Sequence, residues 1–445
     1  MENVLTLVEG LIKSAASNCE KGIFLINGED KEEFISYKQL YIGALKILYN
    51  LQREGLKPED ELIIQIKDTD NKLFVYIFWA CILGKIIPVP VSVTHRENAF
   101  KVLKIFRQLK NPKAIVNERC LEDLKKFVIG TSFENTLQEI DESSISVDTI
   151  TKENGIGKIE VIGQEDIAFI QFSSGSTGDP KGVVLTHKNL VTNIGDIIEG
   201  FRGTEKDSAY SWMPLTHDMG IIGLHMLPLI LNINQYLMPT SLFVKNPVLW
   251  IKKINEHRVT ITAASNFGFR YFLDKLKDTI YTDWNLSCIR KLFNGAEPIA
   301  VDIINEFLYK LSPYHLKRDA MYTVYGMADA SLAVAFPPVD EEFSCIYVRR
   351  DSLNIGNQVI ELKANEESDI SMELVVEGYS VKHCNIRIVD DNRYEVIPVR
   401  SISKTTSGRV QRFKLIDKYR KGEFQEHIHK VAEVMERKKC LKYML

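Results

Sequence analysis

The stretch Ser173-Ser174-Gly175-Ser176-Thr177-Gly178-Asp179-Pro180-Lys181-Gly182 follows directly on the apolar run Ile167 to Phe172, and its residue types suit the holding of a phosphate chain. Small residues let the backbone curl around an anion. The N–H groups of Ser174, Gly175, Ser176, Thr177 and Gly178 and their hydroxyls can then converge on phosphate oxygens, while Lys181 supplies a mobile positive charge. The spacing is not that of a Walker A loop, because GxxxxGK[ST] is absent. A flexible Gly/Ser linker is the plain alternative. With about eight specified positions, chance occurrence is roughly one in a billion per starting point, which makes that alternative weak.

The composition sets limits on the partners. The chain has 445 residues, 45% of them hydrophobic and 26% charged, with a formal net charge of −3. This is the balance of a globular protein of two to four folding units. Near-neutrality gives no general attraction to nucleic acid or to an anionic membrane, so a polyanion such as ATP must be held by a local site. Seven cysteines lie far apart without a CxxC pair, which indicates neither a zinc site nor a disulfide framework and suits a reducing cytoplasm. The longest apolar run, Leu73 to Leu83, is too short to cross a bilayer and reads as a buried helix.

The apolar run before the phosphate loop reads as a strand, and the sequence on either side supplies strands and helices in alternation. Strand character over Gly22–Asn27, 61–66, 86–91 and 114–116 alternates with helical spacing over Tyr37–Arg53, 73–83 and 99–109. A second series follows, with strands over 167–172, 259–263, 291–293 and 321–324. This order predicts mainly parallel sheets covered by helices, with the ligand beyond the carboxyl ends of the strands. Residues 130–165, rich in Glu, Asp, Ser and Thr, read as a loop. His187 reads as a helix-start residue after a Thr186 N-cap. From Leu415 a basic amphipathic pattern predicts a terminal helix.

The loop resembles the signature of the adenylate-forming superfamily, and three further segments narrow the likeness. Ser211-Trp212-Met213-Pro214-Leu215-Thr216-His217-Asp218-Met219-Gly220 is similar to the WxPxxHDMG stretch of fatty acyl-AMP ligases. Asn294-Gly295-Ala296-Glu297-Pro298 resembles their adenine-binding segment, and Tyr325-Gly326-Met327-Ala328-Asp329 their YGxAE motif. The resemblance implies a ligase that joins a fatty acid to AMP from ATP and Mg2+, with an acyl carrier protein as the family's acceptor. It implies catalytic roles for Thr177, Lys181, Asp329 and Arg409, and nucleotide contacts from His217 and the two later segments. Asp329 replaces the family's glutamate and would hold the metal with a shorter reach. Adenylation needs no strong base, since the substrate carboxylate is already ionised, so His217 is expected to position rather than to transfer protons.

The implied architecture is a first α/β subdomain over residues 1–160 and a second over 161–335 with the phosphate loop and adenine site. A partial β-rich subdomain with an insertion occupies 336–392, and a remnant of the small C-terminal domain with the terminal helix occupies 393–445. Two departures stand out. Asp390-Asp391-Asn392 passes almost directly to Tyr394-Glu395-Val396, without the TGD motif and hinge that normally follow. Within Ser403-Lys404-Thr405-Thr406-Ser407-Gly408-Arg409, similar to the family's last motif, Arg409 takes the place of a lysine, and a guanidinium fork differs in shape and reach from an ammonium. Three readings follow: an acyl-AMP ligase, a protein that binds nucleotide or acyl chain without turnover, and an acyl-CoA synthetase.

Overall fold

The computed structural model describes residues 4–93, 100–116, 118–174, 179–276, 281–353, 358–363 and 370–386. The chain forms two compact units. Among the described residues, the larger lies within 1–173, 182–343 and 377–384, and the smaller within 174–181, 344–376 and 385–386.

The larger unit is built on two parallel sheets. Strands β3 (Glu61–Gln65), β4 (Ile87–Pro90) and β5 (Lys113–Val116) form one, in the order β4-β3-β5. The other has seven strands in the order β12-β11-β10-β8-β9-β1-β2. Its members are β1 (Gly22–Ile26), β2 (Glu32–Ser36), β8 (Ser208–Ser211), β9 (Asn234–Leu237), β10 (Ile261–Ala264), β11 (Lys291–Asn294) and β12 (Met321–Thr323). Every pairing in it is parallel except β1 with β2. Between the two sheets in sequence, β6 (Ile167–Ser174) and β7 (Pro180–Thr186) make a separate two-stranded sheet. The expected α/β class is observed.

Local chemistry explains the helix starts. Tyr37–Arg53 begins at a capping box in which Ser36 accepts from the Gln39 N–H and Gln39 reaches back to the Ser36 N–H, satisfying donors a helix start leaves open. Thr186 and Asn189 form the same device at His187–Gly200; the Thr186 cap is the one read from the sequence. His187 itself goes further: its Nδ1 accepts the Leu7 N–H at 3.2 Å, so a buried imidazole on one helix caps the start of another, Leu7–Ala15. Asn71–Leu83 is buried on nearly all sides. No helix among the described residues is long and apolar enough to cross a membrane.

Residues 130–165 correct the expectation of a loop. Glu134–Ser143 and Val147–Thr151 are helices, and they bury Leu137, Ile140 and Ile150. These turns are short, and their apolar positions are too few to emerge from the polar composition, but Ser146 caps the second through the Thr149 N–H. A second finding concerns the chain's N-terminal part: β1 pairs with β9, so residues 22–36 extend the seven-stranded sheet rather than the sheet of β3.

A small sheet β13-β14-β18 follows, from Tyr325–Gly326, Ala333–Phe336 and Tyr379–Ser380. In the smaller unit, β15 (Cys345–Arg349), β16 (Glu361–Leu362) and β17 (Ser371–Val375) form an antiparallel sheet in the order β16-β15-β17. This is the β-rich part. The junction near residue 392, Lys404, Arg409 and the expected terminal helix lie outside the described residues.

Candidate nucleotide site

A parallel sheet sends every connection out from the carboxyl ends of its strands, and there the sequence-predicted segments meet. Trp212 to Gly220 continue from β8, Asn294 ends β11, and Tyr325 follows β12 after the single residue Val324. The Val324 N–H donates to the Asn294 carbonyl at 2.8 Å. A Cβ on Gly295 would stand 2.8 Å from the Val324 carbonyl oxygen and 3.6 Å from Met219 Cε. The three segments therefore touch at Gly295, and only a residue without a side chain leaves them room to do so.

The adenine-like segment is held in a strained form. Ala296 has φ 71°, a left-handed conformation unusual for alanine and one that functional sites tend to store. Asn266 anchors the segment from the neighbouring helix: its Oδ1 accepts the Ala300 N–H at 3.1 Å and its Nδ2 donates to the Pro298 carbonyl at 2.6 Å. Glu297 Oε1 accepts the Phe267 N–H at 3.1 Å, so this carboxylate braces a helix start. Asn294 is fully buried, and neither its Nδ2 nor its Oδ1 has a hydrogen-bond partner among the described residues. A buried amide left unpaired costs about 1–3 kcal/mol, which marks it as a group awaiting a polar partner.

Tyr325 and Met327 are each 39% exposed, leaving an aromatic face open at the sheet's edge. Gly326 lets β13 pass close to β14, since a Cβ there would lie 2.3 Å from the Leu332 carbonyl oxygen. Asp329 is exposed on the turn Ala328–Ala330. The group of carboxylates and imidazole closest-set for a metal among the described residues is Glu32, Glu256 and His257. There Lys253 already sits 2.7 Å from both Glu32 and Glu256.

The segment after β8 turns through a π-helix, Met219–Met226, a wide and rare turn frequent at functional sites. Asp218 caps it by accepting the Met219 N–H at 2.7 Å, and His217 Nδ1 lies 2.8 Å from Asp218 Oδ1. Gly220 crosses Pro214 so closely that a Cβ would stand 2.2 Å from the proline carbonyl oxygen. Gly220→Ala is therefore expected to force this segment apart and to destabilise the protein by about 1–3 kcal/mol, read as a lowered urea midpoint at unchanged slope. An unaltered midpoint would mean that the close crossing is not needed.

Three residues that sequence reading passed over hold this segment. Gln171 on β6 donates from Nε2 to the Thr216 carbonyl at 2.9 Å, tying the strand before the phosphate loop to the His217 segment. Its one visible signal was a polar side chain inside an apolar strand. His225, fully buried, accepts from Trp79 Nε1 at 2.9 Å and pairs through Nδ1 with Gln235 Oε1 at 2.7 Å. Gln235 in turn donates to the Tyr37 hydroxyl at 2.9 Å. Burial pushes the His225 pKa down to about 4, so the neutral ring pins the π-helix to two other helices and β9. Nothing in the sequence linked residues so far apart.

Of the phosphate loop, the Ser174 backbone ends β6 and Lys181 is exposed on β7, within the smaller unit. Gly175, Ser176, Thr177 and Gly178 lie outside the described residues. The structure thus brings together Met219, Asn294, Gly295 and the strand before Tyr325, with His217, Ala296, Glu297, Gly326, Met327 and Asp329 on the same connections.

The family model for AMP-binding enzymes matches residues 12–402. The chain is 26% identical over 379 residues to the medium-chain-fatty-acid acyl-carrier-protein ligase JamA of Moorena producens (strain JHB), covering 82% of this chain and 62% of that protein. It is 35% identical over 226 residues to the corresponding ligase TtuA of Teredinibacter turnerae (strain ATCC 39867 / T7901), covering 51% of this chain and 35% of the other. The chain thus spans less than two thirds of the length of these relatives. Its fold superimposes on the crystal structure of the fatty acid AMP ligase from Legionella pneumophila with a TM-score of 0.77 and 26% identity, covering 89% of this chain and 67% of that one.

Proposed function

The chain belongs to the AMP-binding enzyme family, and from that premise we propose that it activates a fatty acid as its acyl-adenylate, with an acyl carrier protein as the acceptor. The observation that carries the reading is the meeting of the Met219, Gly295 and Val324 segments around the unpaired Asn294 at the carboxyl edge of the sheet. Adenine, a flat ring with donors and acceptors on its edge, matches a site that offers an unpaired amide, glycine-permitted close approach and the open face of Tyr325. The fatty-acid class rests on the named activities of JamA, TtuA and the Legionella protein.

In the reaction, a carboxylate oxygen attacks the α-phosphorus of ATP, the bond to the bridging oxygen breaks, and pyrophosphate leaves with the electron pair. No proton has to be removed from the acid. Negative charge gathers on phosphate oxygens, so pre-placed donors and cations supply most of the stabilisation. We assign that work to the backbone and hydroxyls of Ser174 to Gly178, including Thr177, and to Lys181. Arg409 takes the acyl carboxylate and α-phosphate. His217, held against Asp218, orients the connection after β8. Asp329, exposed on its turn, suits Mg2+, which is usually bound by one or two carboxylates together with phosphate oxygens; the ion would neutralise charge on the leaving pyrophosphate.

A nucleotide-binding role without turnover is favoured by the sequence between Asn392 and Tyr394, where the TGD motif and hinge do not follow, and by Arg409 in place of lysine. The two readings separate in one assay. Fatty acids of graded length with ATP and Mg2+ are expected to release pyrophosphate, with transfer to a holo acyl carrier protein exceeding transfer to coenzyme A. Binding of ATP with no pyrophosphate from any acid would overturn the enzyme reading, and preference for coenzyme A would overturn the acceptor.

A further inference from the structure

The turn that carries Asp329 is strained, and a helix distant in sequence grips the strand that follows it. Ser331 has φ 70°, a left-handed conformation that a serine keeps only where its surroundings enforce it. Two hydrogen bonds close the turn, from the Met327 N–H to the Leu332 carbonyl and from the Ser331 N–H to the Ala328 carbonyl, each 2.9 Å. Two residues after Ser331, Ala333 stands opposite Gly326 in the pairing of β14 with β13. On its other side β14 pairs with β18 at Ala335 and Phe336. At Ala333 a side chain does what a neighbouring strand would do. Asn193, buried on the helix His187–Gly200, donates from Nδ2 to the Ala333 carbonyl and accepts the Ala333 N–H at Oδ1, both at 2.9 Å. An amide side chain carries a donor and an acceptor side by side, as a peptide group does. The same helix meets β14 again two turns on, where a Cβ on Gly200 would stand 2.6 Å from Phe336 Cδ2. Between them, Asp196 accepts the His383 N–H at 3.0 Å, just beyond β18.

We infer that Asn193 is a positioning residue of the nucleotide site: its amide fixes the backbone of Ala333, and through β14 and the strained turn it fixes where Tyr325 and Asp329 stand. Without it, a buried N–H and a buried carbonyl are left unpaired. The Ser331 turn is then the first part to relax, because its strain is held only by what surrounds it. A shifted turn displaces the aromatic face and the carboxylate together, and binding geometry tolerates only about 0.5 Å of such movement. The inference rests on the nucleotide reading given above and adds to it a residue outside all the motif segments.

The test is calorimetric titration of the full chain with AMP, read both as a dissociation constant and as the number of sites per chain. Asn193→Leu, close to the amide in shape but without its donor and acceptor, should weaken AMP binding about tenfold or more at an unchanged number of sites. Asn193→Asp keeps the acceptor and loses the donor; it should weaken binding about fivefold or more, and it serves if the leucine variant does not fold. By amide hydrogen exchange, Met327 and Ser331 should exchange about tenfold faster in either variant, while Phe293 and Asn294 on β11 keep their rates. Lys382→Ala removes an exposed ion pair to Glu199 on the same helix and should leave the dissociation constant unchanged. Fewer sites at an unchanged dissociation constant would mark a merely structural residue and overturn the inference. Unchanged exchange at Met327 and Ser331, or an equal loss in Lys382→Ala, would also overturn it. If the unaltered chain binds no AMP, the nucleotide reading fails, while the exchange rates still decide whether Asn193 places the turn.

Discussion

Lys181→Ala is expected to weaken ATP binding by about ten- to a hundredfold, the worth of about 1.5–3 kcal/mol for hydrogen bonds from a charged group. Pyrophosphate release should fall further, by about a hundredfold or more, because charge on the phosphate oxygens grows in the transition state and a pre-placed cation counts most there. The side chain is exposed on β7, so folding should be unaffected and the urea midpoint should stay where it is. Lys181→Arg keeps the charge but changes its shape and is expected to fall between the two. Isothermal titration with ATP and a coupled pyrophosphate assay read both effects. Unchanged ATP binding in the alanine variant would remove Lys181 from the phosphate site.

Acid is expected to undermine the fold well above the range in which carboxylates titrate. Burial holds the pKa of His187 and of His225 down to about 4, against an ordinary 6.5. Above pH 6.5 both are neutral, folded or unfolded, and contribute no pH dependence. Between 6.5 and 4 the unfolded chain takes up protons that the folded one refuses, so stability falls with pH through that window and levels off below it. Each shift corresponds to roughly 3 kcal/mol, against a total stability of about 5–15 kcal/mol for ordinary domains. The protonated forms would also lose specific contacts: His187 its acceptance of the Leu7 N–H, and His225 its acceptance of the Trp79 N–H. Asp207 acts lower down. Burial pushes its carboxyl up, but Arg290, the Thr204 N–H and Thr260 more than offset this and hold it below its ordinary value, so its contribution is lost only as pH falls through that lowered pKa. Urea midpoints between pH 7.5 and 4 should decline mainly from about 6.5 to 4. A flat profile down to pH 4.5 would contradict the buried neutral state of both rings.

The same two histidines show where sequence reading reached and where it stopped. A Thr before His187 signalled a helix start because capping is local, and Tyr37–Arg53 was legible from its apolar spacing, to which the structure adds the Ser36 cap. The motif segments could be picked out because chemistry demands particular residues at short range, and three of them meet in the structure at Gly295. What sequence spacing does not carry is contact across long loops. The pairing of β1 with β9 joins residues more than two hundred positions apart. The bridge from Trp79 through His225 and Gln235 to Tyr37 has no local pattern at all. The role of Gln171 likewise depends on where Thr216 folds back to. Residues 130–165 failed for another reason: two short helices with few buried positions look polar overall, and only packing decides them.

Glycine positions connect these levels most directly. Gly220 and Gly295 were read as parts of motifs, and the fold gives each a steric reason, the Pro214 carbonyl for one and the Val324 carbonyl for the other. Close backbone approach thus brings the candidate segments together. Such an arrangement suits electrostatic catalysis, in which donors must already be in place when charge develops.

The proposal tested most directly is that this chain converts a fatty acid into an acyl-adenylate. Trapping with hydroxylamine measures this step apart from any acceptor. With ATP, Mg2+ and a fatty acid, the chain should yield the fatty acyl hydroxamate and AMP in equal amounts, and the Lys181→Ala variant should yield about a hundredfold less. ATP binding without hydroxamate from any chain length would contradict the claim and leave a nucleotide-binding protein in its place.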